Sequence, residues 1–238
     1  MKDIKYIKSI IEKYKKNSAE VDNNGVGFFL NSFGLFKQVY LTEANTSDYE
    51  IRKKEVENFN QILMNNTIVN AVTALDVFVK FIITKRQNWN EEGYNSLLDE
   101  DIKLSAAFEL FNKAAVTREY LIAHSVSYQN NDIINKFFSK LTGEDFFNAI
   151  EKKEIEAPFS LTSPKTLQSI FPEWERKLKL FFEIRHKFIH EGELTIMKPE
   201  ELDDYFHLIL SIIASIEMYV LDRDVSLLKG TVPDTDRR

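Results

Sequence analysis

Large apolar side chains recur at helical spacing near the carboxyl end of the chain, in the segment WERKLKLFFEIRHKFIHEG from Trp174 to Gly192. Spacings of four, three and seven residues place these side chains on one face of a helix. The stripe consists of Trp174, Leu178, Phe181 and Phe188, with Phe182 and Ile189 beside the last two. Gly192 follows as a natural helix stop. The pattern therefore predicts an amphipathic helix that packs through this face and ends at Gly192.

Two further apolar patterns predict long helices on either side of a region with shorter ones. The first begins near Ser47-Asp48 and runs to about Arg86, and its part 59–83 is apolar nearly all round, which predicts deep burial. The second opens with Pro199-Glu-Glu, a helix start with acids in the first turn, and runs to about Asp222 or beyond. Shorter helices are predicted at about 99–114, 117–127, 131–140 and 143–153, and a Lys-rich amphipathic helix at 2–16.

The composition favours an all-α fold. The chain of 238 residues is 44% hydrophobic and 29% charged, as expected of a globular protein that can bury a core. It has only 7 glycines and 5 prolines, and this scarcity of turn-formers predicts long helices with few tight loops. We therefore predict a single all-α domain over 1–238, with residues 230–238 as a disordered tail.

Charge and cysteine content exclude several functional classes. A formal charge of −6 makes the chain a poor non-specific polyanion binder, although an enzyme with a local basic cleft remains compatible with it. The absence of cysteine excludes disulfides, thiolate catalysis and Cys-ligated zinc. The longest apolar run, 208–221, is broken by Glu217 and is too short to span a bilayer, and the amino-terminal residues lack the apolar core of a signal peptide. We expect a cytoplasmic protein without a membrane partner.

The candidate chemistry lies in the 174–192 segment, where Arg185 interrupts the apolar stripe. A guanidinium stays charged, so either it has a carboxylate partner or the stripe opens there onto a cleft or a second subunit. Two of the chain's four histidines, His186 and His190, follow it one turn apart. Imidazole exchanges protons near neutrality and guanidinium pairs with phosphate oxygens. The set suits transesterification at an RNA phosphodiester without a metal ion.

The segment RHKFIH at 185–190 resembles the R-x(4–6)-H signature of HEPN domains, in the variant with a polar residue directly after the arginine. A long apolar helix before the motif, Gly192 after it and a further long helix that closes the chain add to the resemblance. It covers roughly Phe59–Lys85 and Ser163–Leu228. It implies an all-α, HEPN-like helical bundle in which 87–162 form a helical insertion between the second and third core helices.

The resemblance implies a metal-independent endoribonuclease without a cofactor. In HEPN ribonucleases two motif helices meet across a two-fold axis, so the resemblance also implies a homodimer. Arg185 and His190 take the two signature positions, and His186 takes the polar position after the arginine. Prokaryotic HEPN proteins often act as toxins or in defence against phage. The resemblance therefore implies RNA as substrate and an antitoxin or regulatory protein as a further partner.

Three other residues are predicted to support this site. Asp76 lies inside the apolar run AVTALDVFVKF, and a lone carboxylate there needs a partner. That partner is either a neighbouring hydroxyl or amide or, because the two helices pack together in a HEPN bundle, Arg185. Glu183 is the second predicted supporting residue, and Lys187 is predicted to contact RNA.

Several alternatives remain open from the residues alone. His186 and His190 could bind zinc with Glu183 or Glu191 as third ligand, although the glutamate of the HExxH protease motif is missing. A HEPN-like bundle could bind a nucleotide or a partner protein without cleaving anything. The Arg–His cluster could also be purely structural. The same signature spacing recurs at Arg118 and His124, without a glycine stop after it.

Overall fold

The computed structural model describes residues 51–86, 89–101, 117–155 and 165–230. In these ranges the chain forms eight α-helices, one π-helical turn and a two-stranded antiparallel sheet. The helices are α1 (Ile51–Lys85), α2 (Glu91–Asp101), α3 (Arg118–Ser125), α4 (Asn131–Thr142), α5 (Phe146–Glu151), α6 (Leu167–Ile170), α7 (Trp174–His186) and α8 (Pro199–Gly230). The π turn Lys187–Glu191 continues α7, and β1 (Glu154–Ile155) pairs with β2 (Lys165–Thr166). The predicted all-α class is confirmed.

Most of the predicted helices agree with the observed ones where the chain is described, but α2 was not predicted, since the helix expected at about 99–114 overlaps only its last residues. The predictions at 117–127, 131–140 and 143–153 are confirmed as α3, α4 and α5, and the helix opened by Pro199 is confirmed as α8. The helix predicted at 2–16, the start of the long helix near residue 47, most of 99–114 and the tail after residue 230 lie outside the described residues. The assignment of 87–162 as an insertion into a single domain stays a prediction.

Helix α1 occupies the centre of the bundle, because α3, α7 and α8 all pack against it. Its residues Ile68, Val72, Leu75 and Val79 are completely buried, and their spacing of three and four residues forms one stripe. The deep burial predicted for 59–83 is only partly right. Phe59, Ile62 and Val77 are 47%, 43% and 41% exposed, because the three neighbouring helices leave one side of the α1 cylinder open in the described structure.

Helices α1 and α8 are long and apolar enough to cross a membrane by length and composition alone, over Glu57–Lys85 and Pro199–Asp224. However, 61% and 56% of their apolar windows are buried inside the bundle. Burial against other helices accounts for their apolar character, since the core helix of a bundle needs apolar side chains on most of its circumference.

The short helices are delimited by side-chain caps. The Thr117 hydroxyl accepts the N–H of Tyr120 at the start of α3, and the Asn130 side chain accepts the N–H of Asp132 at the start of α4. Gly143, with a φ of 78°, ends α4. These caps fix the position of the α3–α4 connection. This connection contains Tyr128, whose N–H donates a hydrogen bond to Asp76, one of the predicted site residues.

Candidate active site

Helix α7 brings the Arg–His motif to the surface of the bundle at its carboxyl end. Its buried face confirms most of the predicted stripe: Trp174, Leu178, Phe181 and Phe182 are at most 7% exposed. The end of the stripe differs from the prediction. Phe188 is only half-buried, Ile189 is 46% exposed and Ile184 takes an inner position. The stripe loses its register because the regular α-helix ends at His186.

The last turn of the motif segment is π-helical. The N–H of Gly192 donates to the carbonyl oxygen of Lys187, five residues back, and this bond closes the turn Lys187–Glu191. Gly192 has a φ of 68°, in the left-handed region that favours glycine, so the predicted stop is confirmed. Single π turns inside or at the end of α-helices are rare and occur frequently at functional sites.

The wider turn brings Arg185 and His190 together. In a regular α-helix, residues five apart point about 140° away from each other. A turn closed by a bond to the fifth residue back contains an additional residue, so that the angle between residues five apart becomes smaller. The Nη1 of Arg185 accordingly lies 3.1 Å from the Nε2 of His190. Because a guanidinium only donates, Nε2 accepts, and the neutral His190 ring then carries its proton on Nδ1.

Arg185 is half-buried and His190 is exposed. The Nε of Arg185 is buried and has no hydrogen-bond partner among the residues that the structure describes, where no carboxylate pairs with this guanidinium either. Of the two predicted arrangements, the one with a carboxylate partner is not found among the described residues, and Nη1 of Arg185 is instead directed to His190 at the surface.

Asp76 does not pair with Arg185, and this part of the prediction is wrong. The Oδ1 of Asp76 accepts the N–H of Tyr128 at 2.7 Å, and its Oδ2 forms an ion pair with Lys80, one turn further along α1. Both carboxylate oxygens are thus occupied on the side of α1 that faces the α3–α4 connection. The alternative prediction, a hydrogen bond to an amide, is confirmed. Asp76 fastens this connection to α1 and lies apart from the motif.

His186 lies between His190 and the carboxylate of Glu191, the last residue of the π turn. Its ring centroid lies 4.9 Å from that of His190, and its Nε2 lies 3.6 Å from the Oε1 of Glu191. Glu183, the other predicted supporting residue, is exposed and forms no ion pair within the described structure. Among the described residues, no three histidine, aspartate or glutamate side chains converge closely enough to hold a metal ion. The zinc alternative therefore lacks a third ligand in this part of the chain.

An open cleft of about 570 Å³ runs along α7 beside the start of α4 and reaches the motif at His186. Its lining contains three basic residues (Arg176, Lys179 and Lys187) and four acidic ones (Asp132, Glu175, Glu183 and Glu191), so its formal charge is −1 with His186 neutral. Burial raises the pKa of Glu175, and the nearby carboxylates of Glu151 and Asp145 add to this effect. A cleft with this charge does not favour an extended phosphate chain, although Lys187 stands at the motif end of it.

The second occurrence of the signature spacing has structural partners. The guanidinium of Arg118 makes two hydrogen bonds to the Glu91 carboxylate, at 3.1 and 3.0 Å, and lies over the Tyr94 ring. The His124 ring stacks on Tyr120 at a centroid distance of 4.1 Å. These contacts fasten α3 to α2 and leave no shared Arg–His surface, so the spacing alone does not identify a site.

Two amide side chains of α1 were not identified from the sequence. Gln61 and Asn65 bind the backbone of the segment that follows the motif, at Met197 and Thr195. These contacts join residues 136 and 130 positions apart, and no local pattern signals them. Only the helical spacing of the two amides on one face could have drawn attention to them.

Comparison with known proteins identifies the family of the chain. A family model described as RiboL-PSP-HEPN matches residues 40–222. The matched range includes the Arg185–His190 motif. No curated protein and no solved structure matches the chain. Since the family model covers most of the 238 residues, and the helical bundle agrees with the expected fold, the chain belongs to the RiboL-PSP-HEPN family.

Proposed function

We propose that this protein is a metal-independent endoribonuclease whose active site forms where two copies bring their Arg185–His190 turns together. The observation that carries the proposal is the contact of 3.1 Å between Arg185 Nη1 and His190 Nε2 in a surface turn. A fixed positive charge and a proton-exchanging ring lie side by side there, within reach of one phosphodiester.

The proposed reaction is a transesterification. The 2′-oxygen of the ribose attacks the adjacent phosphorus, the bond from phosphorus to the 5′-oxygen breaks, and a 2′,3′-cyclic phosphate and a 5′-hydroxyl result. A histidine accepts the 2′-hydroxyl proton and another histidine, or the same one after exchange, donates a proton to the departing 5′-oxygen. Arg185 stabilises the charge on the five-coordinate phosphorus. General acid–base help of this kind contributes on the order of 10²–10⁴ in rate.

A second copy supplies what one chain lacks. The described residues of one chain contain a single Arg–His contact, the one between Arg185 and His190. The other pair with the signature spacing, Arg118 and His124, does not add a second one, since the guanidinium of Arg118 is bound to Glu91. Three large apolar side chains are exposed next to the motif: Ile189 at 46%, Leu194 at 37% and Ile196 at 76%. Burying such side chains against a partner is favourable by roughly 25 cal/mol per Å². This apolar surface supports a homodimer in which the two motif turns face each other.

The charges around the motif limit how RNA binds in this proposal. Because the cleft along α7 carries four acids and three bases, the phosphate chain is held at the motif turn itself, where Arg185 and Lys187 supply the positive charge. The proposed substrate is single-stranded or loop RNA, whose backbone can bend into a site of this size. The biological role that goes with the proposal is that of a cytoplasmic toxin or phage-defence effector, controlled by an antitoxin or regulatory protein.

One observation favours a second function, a catalytically silent module that binds a nucleotide or a partner protein, and of these two ligands it favours the partner protein. The chain carries a formal charge of −6, and the cleft that ends at His186 is itself net acidic. Such a surface suits a basic protein segment better than a polyanion. This function predicts tight binding of a partner or nucleotide with no cleavage under any condition.

The proposal is tested with purified full-length protein and a mixed set of labelled single-stranded RNAs in the presence of EDTA. We expect cleavage by the unchanged protein, and a loss of about 10²-fold or more in Arg185→Ala and in His190→Ala, because each removes a group that acts on the reacting phosphate. His207→Ala is the matched control, since His207 is paired with Asp203 on α8. An RNA with 2′-deoxy substitutions at the cleaved positions should resist cleavage.

Equal cleavage by all variants would point to a contaminating nuclease and contradict the proposal. Loss of cleavage in EDTA with recovery in zinc would favour the metal alternative. The homodimer is tested separately by light scattering, which should give twice 27.8 kDa. Ile196→Asp should shift the protein to the monomer and lower cleavage, because it places a charge in the proposed contact.

A further inference from the structure

Two amide side chains hold the segment behind the motif in a fixed position. The Nδ2 of Asn65 donates to the carbonyl of Thr195 at 2.9 Å, and its Oδ1 accepts the N–H of Thr195 at 3.1 Å. One turn earlier, the Nε2 of Gln61 donates to the carbonyl of Met197 at 2.9 Å, and its Oε1 accepts the N–H of Met197 at 3.0 Å. Each amide therefore binds both polar groups of one residue. We call these four hydrogen bonds the amide clamp.

The geometry of the amide clamp requires an extended chain in one register. Residues four apart on a helix are separated by about 6 Å along its axis. Residues two apart in an extended chain are separated by about 6.6 Å, and the N–H and C=O of a single residue point to the same side. For this reason Asn65 can bind Thr195 while Gln61 binds Met197. A shift by one residue would turn the bonding groups away from α1.

The amide clamp is itself firmly anchored. Asn65 is 0% exposed, and its second Nδ2 hydrogen donates to the carbonyl of Gln61 at 2.8 Å, so all its hydrogen-bonding groups are used. Met197, at the far end, is buried at 5% exposure. Buried amides with every group satisfied are rigid, because leaving any one of them unpaired costs about 1–3 kcal/mol.

The clamped segment closes the π turn from outside. Only four residues, 191–194, separate His190 from Thr195. Within them the N–H of Gly192 and the N–H of Glu193, at 3.2 Å, both donate to the carbonyl of Lys187. A π turn is rare because it is less favourable than an α turn. If the segment were free, the turn could relax to α-helical closure, which rotates the fifth residue about 140° away from the first.

We propose that Gln61 and Asn65 are positioning residues of the candidate active site. By fixing the backbone of 195–197 they keep the π turn wide, and the wide turn keeps His190 against Arg185. The consequence for catalysis rests on the proposed ribonuclease function, whereas the consequence for the His190 ring does not. The two can therefore be tested independently in the same full-length protein.

The first measurement follows the imidazole signals of the four histidines by NMR in ¹⁵N-labelled protein. Asn65→Asp and Gln61→Glu keep the shape of each side chain but replace its NH₂ group with an oxygen, which faces a backbone carbonyl and repels it. We expect both variants to shift the His190 signals in the direction seen in Arg185→Ala, and to leave the signals of His124 and His207 in place. Thr195→Ala is the control, because the amide clamp binds only the backbone of that residue.

The second measurement compares RNA cleavage in the same variants. Displacing a reacting group by about 1 Å can cost on the order of 10²-fold in rate. We expect kcat to fall by about this factor in Asn65→Asp with KM changed only a few-fold, and Thr195→Ala to cleave like the unchanged protein. If Asn65→Asp does not fold, Gln61→Glu carries the test, since Gln61 is only half-buried.

Unchanged His190 signals in a folded Asn65→Asp or Gln61→Glu protein would overturn the inference and reduce the amide clamp to a stability device. A shift of the His190 signals in Thr195→Ala as large as that in Asn65→Asp would also overturn it. Displaced His190 signals in a protein that cleaves no RNA, even without substitution, would support the positioning role and contradict the ribonuclease proposal.

Discussion

Substitutions of Asp76 should destabilise the bundle to different extents, and the difference should distinguish the contributions of its two contacts, with Tyr128 and with Lys80. Asp76 is 7% exposed and lies on α1, the central helix. One oxygen accepts the N–H of Tyr128, which is completely buried, and the other pairs with Lys80, whose side chain is 21% exposed. Asp76→Ala removes both contacts, whereas Asp76→Asn keeps an oxygen for the N–H of Tyr128 and removes only the charge.

The two contacts differ in magnitude. A buried N–H left without an acceptor costs about 1–3 kcal/mol. The ion pair contributes less, roughly 0.3–1 kcal/mol, because Lys80 is one helical turn away and its ammonium can reach solvent. We expect Asp76→Ala to lower the free energy of unfolding by about 1.3–4 kcal/mol, the sum of the two contacts, and Asp76→Asn by at most about 1 kcal/mol. At roughly 2–4 °C per kcal/mol for a chain of this size, Asp76→Ala should lower Tm by about 3–16 °C.

The assay is urea unfolding followed by tryptophan fluorescence, since the only two tryptophans, Trp89 and Trp174, are both buried. Lys80→Met serves as the control for the ion pair and should cost at least as much as Asp76→Asn, because it leaves the buried Asp76 carboxylate charged without its cation. A loss in Asp76→Asn equal to that in Asp76→Ala would show that the charge, and not the N–H of Tyr128, decides the stability. A loss below about 0.5 kcal/mol in Asp76→Ala would refute the reasoning altogether.

Two further predictions concern backbone space and burial. Gly93→Ala should destabilise the protein more than Gly192→Ala in thermal unfolding, because a Cβ on residue 93 would lie 1.8 Å from the Lys140 carbonyl oxygen. A Cβ on residue 192 would meet open space, so Gly192→Ala costs only the strain of the left-handed φ, about 1 kcal/mol. Equal losses in the two variants would contradict this packing. Burial raises the pKa of Glu217 above its ordinary 4.5, against a smaller opposing effect of Arg86. The charged carboxylate of Glu217 therefore destabilises the fold above the raised pKa, and this destabilisation disappears below pH 4.5, where the carboxyl group is protonated. Glu217→Gln should thus raise Tm at pH 7 and give no gain near pH 4. A gain in Tm that persists at pH 4 would exclude burial of the charge as its cause.

Local features of the fold could be predicted from the sequence because they depend on residues close together in the chain. The periodicity of Trp174, Leu178 and Phe181 identified the buried face of α7, and Gly192 identified its end, since both signals lie within a few turns of one helix. The candidate motif was found in the same way: a charged residue that interrupts an apolar stripe is visible without knowledge of any neighbour.

Features that depend on distant residues could not be predicted. The acceptor role of Asp76 toward the N–H of Tyr128 joins positions 52 apart, and a backbone donor has no signature in the sequence. The contacts of Gln61 and Asn65 with the backbone of 195–197 have no signature in the sequence either. The π turn was missed for another reason, because α- and π-helical closure fit the same residues and the choice depends on how the following segment is held.

The π turn also explains the length of the motif. An arginine and a histidine separated by three residues would meet in an ordinary α-helix, but here four residues separate them. The wide turn accommodates this surplus residue without lengthening the helix axis. Deleting one of the three residues between His186 and His190 should thus restore the regular α-helix while the arginine and the histidine stay adjacent. The number of residues in the motif and the helix type of its last turn therefore depend on each other.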